Sequence, residues 1–127
     1  MSPHEIAHAF GGKLIGTPGV KLVVAEVISL FPSEIQKYLI THVWFLSSPD
    51  DAWAMTFRGS DLTESEHLIY LSDELLKEDE SQIKYTIAHE IGHVILGHKN
   101  SIGRKQTQTE IDKQEREADQ FARRYLS

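Results

Sequence analysis

Apolar and polar positions repeat with a helical period in the segment from Ile83 to Ile95. Isoleucine and valine recur there at spacings of three and four residues, which predicts an amphipathic helix. Asp79 and Gln82 stand three residues apart just ahead of this segment and resemble a capping box. Gly97 follows the segment and is a typical helix C-cap. The pattern therefore predicts a helix that starts near residue 80 and ends near residue 96.

A second helical pattern follows the polar loop of residues 98–109. At about 100° per residue, its apolar stripe spans roughly 80° of the helix surface. The members of this stripe are Ile111, Ala118, Ala122 and Leu126. We expect the stripe to be buried, and we expect residues projecting far from it to face solvent.

The middle of the chain has the composition of strands. Residues 41–46 are β-branched and aromatic, and residues 47–51 form a turn that would return the chain as a hairpin through residues 52–57. Residues 67–71 are a third strand candidate. One helix is predicted near the N-terminus, and Ser33 would cap another. Together with the strand candidates, these helices indicate an α+β fold with a small, mostly antiparallel sheet of about three strands packed on helices.

Composition narrows the class of protein. The chain has 127 residues, of which 40% are hydrophobic and 25% are charged, a balance typical of one globular domain over residues 1–127. The absence of cysteine excludes disulfides and thiolate-based metal sites, so a metal would need His, Asp or Glu. The net charge of −6 argues against direct nucleic-acid binding. Neither a signal peptide nor a membrane-spanning run is present, which favours a cytoplasmic protein.

The strongest chemical motif is the His-Glu-x-x-His sequence from His89 to His93. Residues four apart project from one face of a helix, so these two imidazoles can bind one tetrahedral zinc ion. Glu90, next to the first histidine, can act as the base that takes a proton from the attacking water. Two histidines four apart also occur as plain polar residues on helices. A third ligand is therefore needed to support a metal site.

Glu115 is the predicted third ligand. On the second helix it projects within the apolar stripe, where a carboxylate is costly unless it is paired or binds a metal. Glu117 projects on the opposite, wet side. Asp119, one turn beyond Glu115, is placed to accept a hydrogen bond from the outer ring nitrogen of His89, although an ion pair with Arg123 is the alternative.

The other histidines and the residue that would stabilise an oxyanion are less well defined. His98 is predicted to lie in a loop, and the remaining histidines are expected to be plain polar residues: His4, His8, His42 and His67. Candidates for the oxyanion role are Tyr85, His67 and Tyr125. The sequence does not choose among them.

Two motifs resemble those of the ImmA/IrrE family of zinc peptidases. Residues 85–93, YTIAHEIGH, and residues 115–122, EREADQFA, carry the resemblance, which extends from about Leu68 to Tyr125. It implies a gluzincin-like site in a zincin-like metallopeptidase core, with His89 and His93 as zinc ligands. It also implies Glu90 as the base and Glu115 as the third ligand.

The resemblance implies cleavage in trans of a protein substrate, a DNA-binding regulator such as a helix-turn-helix repressor. We also expect an edge strand near His67 to Leu71 to bind the extended substrate by strand addition. The alternative is a zinc-stabilised interaction module, or a toxin or antitoxin component, that binds a regulator without cleaving it. The substrate, the cleavage site, the activating signal and the oligomeric state do not follow from the sequence.

Overall fold

The computed structural model describes residues 1–47, 67–97 and 107–126, apart from the side chains of residues 73 and 74. Helices dominate this part of the chain. In chain order the elements are α1 (Pro3–Phe10), a 3-10 turn (Gly11–Lys13), β1 (Leu14–Ile15), α2 (Pro18–Ser29), α3 (Ser33–His42), β2 (Val43–Ser47), β3 (His67–Leu71), α4 (Asp73–Leu76), α5 (Glu80–Ile95) and α6 (Gln108–Leu126). None of the helices described is long and apolar enough to cross a membrane.

The sheet in the described residues has three strands in the order β1-β2-β3, and both pairs are parallel. Two of the predicted strands are present as β2 and β3, whereas β1 was not predicted from the sequence. The prediction of a mostly antiparallel sheet was wrong. Helices α2 and α3 lie between β1 and β2, and parallel strands need such a long crossover. Side-chain alternation is the same in parallel and antiparallel strands, so the pattern could not give the strand direction.

The limits of individual elements also differ from the prediction. Helix α3 continues through His42, so β2 begins at Val43 and not at residue 41. Ser33 is the first helical residue, and Pro32 occupies the N-cap position without a side-chain hydrogen bond. The apolar segment of residues 20–30 is helical: Pro18 stands in its first turn, and the Thr17 hydroxyl accepts a hydrogen bond from the amide of Val20. The predicted strand at residues 52–57 lies outside the described residues.

The hydrophobic core lies between one face of the sheet and helices α1, α2 and α5. Along β3, Ile69 and Leu71 are buried while Leu68 and Tyr70 are exposed, as expected of a strand with one face against the core. Helix α5 adds the fully buried Ile87 and Ile91, and α2 adds Val24 and Ile28, among others. This packing fixes the orientation of α5, because its apolar face must point into the core.

The predicted side-chain N-cap and the glycine after the C-terminus of α5 are confirmed, but the Gln82 side chain donates to the Thr86 hydroxyl and does not complete a capping box. The Asp79 carboxylate accepts a hydrogen bond of 2.8 Å from the amide of Gln82 at the N-terminus. Gly97, just past the C-terminus, has a φ of 71°, a conformation that glycine adopts without the steric cost of a Cβ. Helix α6 follows and packs closely against α5. Its aromatic side chains Phe121 and Tyr125 contact Phe31 at the end of α2, which joins α6 to the core.

Candidate metal centre

Helix α5 presents two chemically different faces. Ile87 and Ile91 are completely buried on one of them. His89 and His93 lie on another, where their side chains are 17% and 14% exposed. Their ring centroids are 4.8 Å apart, and the ring planes are nearly perpendicular. The predicted separation of an anchoring isoleucine face from a histidine face is therefore present.

Gly92 allows α6 to approach this histidine face closely. A Cβ atom at position 92 would lie 3.1 Å from Cδ1 of Phe121 and 3.3 Å from Cα of Ala118. Both distances are tighter than ordinary van der Waals contact, so a side chain here would force the helices apart. Ala118 is itself completely buried. The two small residues thus set the spacing between α5 and α6 one turn from Glu115.

Three potential ligand atoms converge where the helices meet. Nε2 of His89 lies 2.9 Å from Oε2 of Glu115, and Nε2 of His93 lies 3.1 Å from Oε1 of the same carboxylate. The two ring nitrogens are 3.2 Å apart. All three residues offer a ligand atom within 4.8 Å of the others, a geometry able to hold a metal ion. The structure therefore brings together the three residues that the sequence proposed as ligands.

The donor set fits a small divalent cation. Bonds of 2.0–2.1 Å to a tetrahedral zinc ion place the ligand atoms about 3.4 Å from one another. His89 and His93 contact different oxygens of the Glu115 carboxylate, and these two distances and the distance between the ring nitrogens are a few tenths of an ångström shorter. A slight outward movement of these side chains would be enough to admit an ion. Two imidazoles and one carboxylate are also the ligand types that leave a fourth position open on a catalytic zinc.

The burial of the two glutamates differs from the helical projection. Glu115 points toward the histidines as expected, but its side chain is 56% exposed, so it is not inside a buried stripe. Ile111, one turn earlier, is also exposed, while Ala118 and Ala122 are buried as predicted. Glu117 projects on another side of α6, as predicted, but it is half-buried beside Leu96 and so is less exposed than a solvated surface charge. The first turns of α6 extend beyond the surface that buries the rest of the helix.

Glu90 lies next to the ligand face. It follows His89 on α5, about 100° further round the helix, and its side chain is half-buried. It is thus on the same helix as both histidines of the cluster and immediately adjacent to the first. Its assignment as the base stays a prediction from the motif.

The structure does not pair Asp119 with His89. Oδ2 of Asp119 lies 3.1 Å from Nε of Arg123, the alternative ion pair at i+4. Nδ1 of His89 is buried and has no hydrogen-bond partner among the residues that the structure describes. If Nε2 of His89 binds a metal, Nδ1 carries the proton and needs an acceptor. The role of Asp119 as that acceptor therefore stays a prediction.

The candidates for the oxyanion role lie in different places. The Tyr85 ring is 6.0 Å from the His89 ring, one turn earlier on α5. Tyr125 packs against Phe121 and Phe31 on the core side of α6, which explains its presence structurally. His67 begins β3, opposite Val43 of β2.

The other histidines do not join the metal centre in the described residues. His4 and His8 are exposed on α1, and the His42 ring packs against Tyr38 at 4.6 Å. His98 lies outside the described residues. Gly92 was not among the predicted site residues, although a glycine in the middle of a regular helix costs about 1 kcal/mol relative to alanine and so indicates a packing requirement.

The fold and site define an α+β protein whose last two helices carry a histidine and carboxylate cluster. The sequence model of a family described as Peptidase U49 matches residues 80–127, which are α5, α6 and the segment between them. Neither a curated protein nor a solved structure matches the chain. The matched segment contains every residue of the cluster, and the match supports a peptidase function.

The match agrees with the expectation of a peptidase but not with the particular family expected from the motifs. Peptidase U49 is a peptidase family different from ImmA/IrrE, and the match covers less than half of the chain. The resemblance to ImmA/IrrE therefore stays a prediction. Short metal-binding motifs are shared by distinct families because the same ligand geometry satisfies the same ion.

Proposed function

We propose that this protein is a zinc-dependent metallopeptidase that hydrolyses peptide bonds in a protein substrate. The observation that supports the proposal is the convergence of His89, His93 and Glu115, with Glu90 beside the first ligand. The peptidase family match covers the same residues. A purely structural zinc site has no need of an adjacent carboxylate, so Glu90 favours catalysis over a structural role.

The roles of the residues follow from their chemistry. His89, His93 and Glu115 hold the ion, and zinc, when bound, polarises the scissile carbonyl and favours ionisation of water near neutral pH. Glu90 accepts a proton from the attacking water and donates it to the leaving amine nitrogen. The carbon–nitrogen bond breaks, and one water molecule is consumed for each carboxylate and amine formed. The open surface around Glu115 leaves room for a polypeptide substrate.

We propose a DNA-binding regulator, such as a helix-turn-helix repressor, as the protein substrate. The basis is the motif resemblance described above. The net charge of −6 is consistent with a partner that is a protein with a basic surface, and it disfavours direct binding of nucleic acid.

The first experiment compares Glu90→Gln with Glu80→Gln, which makes the same change at the start of the same helix. Both variants are loaded with zinc and incubated with peptides from a LysC digest of a cell extract, and mass spectrometry detects new termini. We expect about one zinc per chain in both variants. Cleavage should fall by at least about 100-fold in Glu90→Gln only, because a positioned general base contributes roughly 10²–10⁴-fold. Equal cleavage by both variants would refute the role of Glu90.

The alternative is an interaction module that binds zinc and a regulator without cleavage. Its separate test is a panel of purified helix-turn-helix repressors, with unrelated soluble proteins as controls. Cleavage of a repressor by the wild type and stable binding of the same repressor by Glu90→Gln would support the peptidase. Binding without cleavage by the zinc-loaded wild type would favour the interaction module.

A further inference from the structure

A pocket lies beside the metal centre, between the first half of α5 and the end of α6. Its lining residues, Ser81, Tyr85, Arg123 and Leu126, define what we call the Tyr85 pocket. The cavity volume is about 300 Å³ and the lining is mainly apolar. This volume is at the lower limit of small-molecule sites, a size that suits one large side chain better than a whole ligand.

The Tyr85 pocket lies within about one or two helical turns of the candidate metal ligands on both helices. On α5, Tyr85 precedes His89 by four residues, and their rings lie 6.0 Å apart. On α6, the lining residue Arg123 is joined to Asp119 by an ion pair of 3.1 Å, and Asp119 is one turn from Glu115. At about 100° per residue, Arg123 projects within roughly 80° of Glu115, so the pocket opens on the ligand side of α6.

A second cavity on α6 provides a contrast. Its lining includes Leu96, Glu117, Gln120 and Arg124, and we call it the back pocket. Gln120 and Arg124 project about 140° and 180° from Glu115, away from the ligands. The back pocket is therefore unsuited to a chain that crosses the metal centre, and its residues serve as matched controls.

Charge and hydrophobicity favour an apolar occupant of the Tyr85 pocket. Tyr85 and Leu126 are half-buried and present carbon atoms to the cavity. The charge of the lining residue Arg123 is already paired with the Asp119 carboxylate. A charged substrate side chain would therefore find no unpaired opposite charge among the described lining residues, whereas an aliphatic or aromatic side chain would bury apolar surface.

The position of the occupant follows from the helix geometry. Tyr85 and Ser81 precede His89 by four and eight residues, which is about 6 Å and 12 Å along the helix axis. An extended peptide advances about 3.3 Å per residue. We propose that the Tyr85 pocket binds an aliphatic or aromatic side chain of the substrate, about two to four residues from the bond that is cleaved. This inference rests on the proposed function.

The test fills the pocket without removing any contact. Ser81 is exposed, so Ser81→Trp places a ring in the pocket, and Gln120→Trp makes a comparable change in the back pocket. The LysC peptide mixture is cleaved by zinc-loaded wild type and both variants, and mass spectrometry gives the residue preference at each position. We expect the wild type to prefer leucine over alanine by about tenfold at one position in the stated range. Ser81→Trp should abolish this preference, and Gln120→Trp should retain it.

A binding measurement separates this inference from the proposed function. Peptides of the same mixture are captured on immobilised zinc-loaded Glu90→Gln protein, with and without Ser81→Trp. Selective capture of apolar peptides that Ser81→Trp removes would support the pocket, whether or not the wild type cleaves any peptide. A wild type that cleaves nothing would overturn the peptidase proposal but not the pocket. The inference about the pocket is overturned if cleavage or capture shows no apolar preference. It is also overturned if Ser81→Trp leaves that preference unchanged, and the peptidase proposal is unaffected in both cases.

A second pair of variants tests the charge argument. Arg123→Ala and Arg124→Ala remove the same charge from neighbouring positions of α6, and both are compared in the cleavage and capture assays. We expect leucine to remain preferred in both variants, because the pocket selects apolar surface. A wild-type preference for aspartate or glutamate that Arg123→Ala abolishes would overturn the apolar assignment.

Discussion

Glu115 contacts both histidines although more than half of its side chain is exposed. Each carboxylate oxygen lies near one ring nitrogen, at 2.9 Å from His89 and at 3.1 Å from His93. An exposed side chain held in one rotamer loses conformational entropy, so these contacts alone provide little stability. A bound cation would offset that cost, which makes Glu115 the ligand whose removal is most informative.

Replacing Glu115 with alanine should remove zinc from the protein. We expect zinc affinity to fall by more than about 100-fold, since loss of a second-shell partner alone typically costs 10–100-fold. Elemental analysis and competition with a chromophoric chelator measure the change. Glu117→Ala is the matched control on the same helix and should keep about one zinc per chain. Equal zinc content in the two variants would contradict the ligand assignment.

Gly92 tests how closely α5 and α6 must approach. A Cβ atom at this position meets Phe121 and the backbone of Ala118, so Gly92→Ala should lower the free energy of unfolding by about 1–3 kcal/mol. It should also weaken zinc binding, because Glu115 lies on the displaced helix. Urea denaturation and a zinc titration measure the two effects. Gly12→Ala, whose Cβ would meet no atom within 4 Å, should change stability by less than about 0.5 kcal/mol.

At the scale of elements, an ion pair joins α5 to α2. Nζ of Lys84 lies 3.2 Å from Glu26 on α2 and 3.2 Å from Glu80 on α5 itself. The hydrogen bond to Glu26, followed by that to Glu80, raises the pKa of Lys84 above its ordinary value of 10.5. A raised folded-state pKa stabilises the fold below the unfolded-state pKa. That stabilisation is lost as the pH rises through the folded-state value.

Lys84→Met should therefore have a pH-dependent effect. Because all three groups are partly exposed, we expect a loss of about 0.5–1 kcal/mol in the free energy of unfolding at pH 7. The difference from the wild type should narrow as the pH rises above 10.5. Urea denaturation over a pH series measures this, with the exposed Lys37→Met as control. A difference that stays constant up to the highest pH would contradict the electrostatic origin.

At the scale of the whole molecule, α6 packs against the rest of the fold through few buried residues. Ala118 and Ala122 are completely buried, while Phe121 and Tyr125 pack against Phe31 and are half-buried. A metal bound by ligands from both α5 and α6 would add a link between the last helix and the rest of the fold. Metal binding and the packing of α6 should therefore be coupled.

Removal of zinc should lower the thermal midpoint of unfolding. At free zinc about 100 times the dissociation constant, binding adds about 2.7 kcal/mol, which corresponds to a shift on the order of 10 °C for a chain of this size. Thermal scans with zinc and with an excess of chelator measure the shift. Glu115→Ala should show almost none. A wild-type midpoint that is insensitive to zinc would argue against a site that links α5 and α6.

Much of the helical structure and the candidate site followed from local patterns. The caps and limits of α5, the bounds of β3 and the facing direction of Glu115 all depend on residues within one or two turns of each other. The burial of Glu115 was mispredicted, because helical projection gives a direction but not how far the neighbouring surface extends. The predicted bond between Asp119 and His89 is not formed, because the Asp119 side chain adopts a rotamer that pairs it with Arg123.

The sequence by itself determined that α5 carries two histidines on one face and isoleucines on another, since a period of 3.6 residues fixes these directions before any packing occurs. It also determined that a metal would have to be held by nitrogen and oxygen ligands. Only the tertiary structure decided the parallel order of the sheet, the approach of α6 at Gly92 and the Tyr85 pocket. These features depend on contacts between segments that are far apart in the chain. Side-chain volumes and the lengths of the connections determine such contacts, and local sequence patterns carry no information about them.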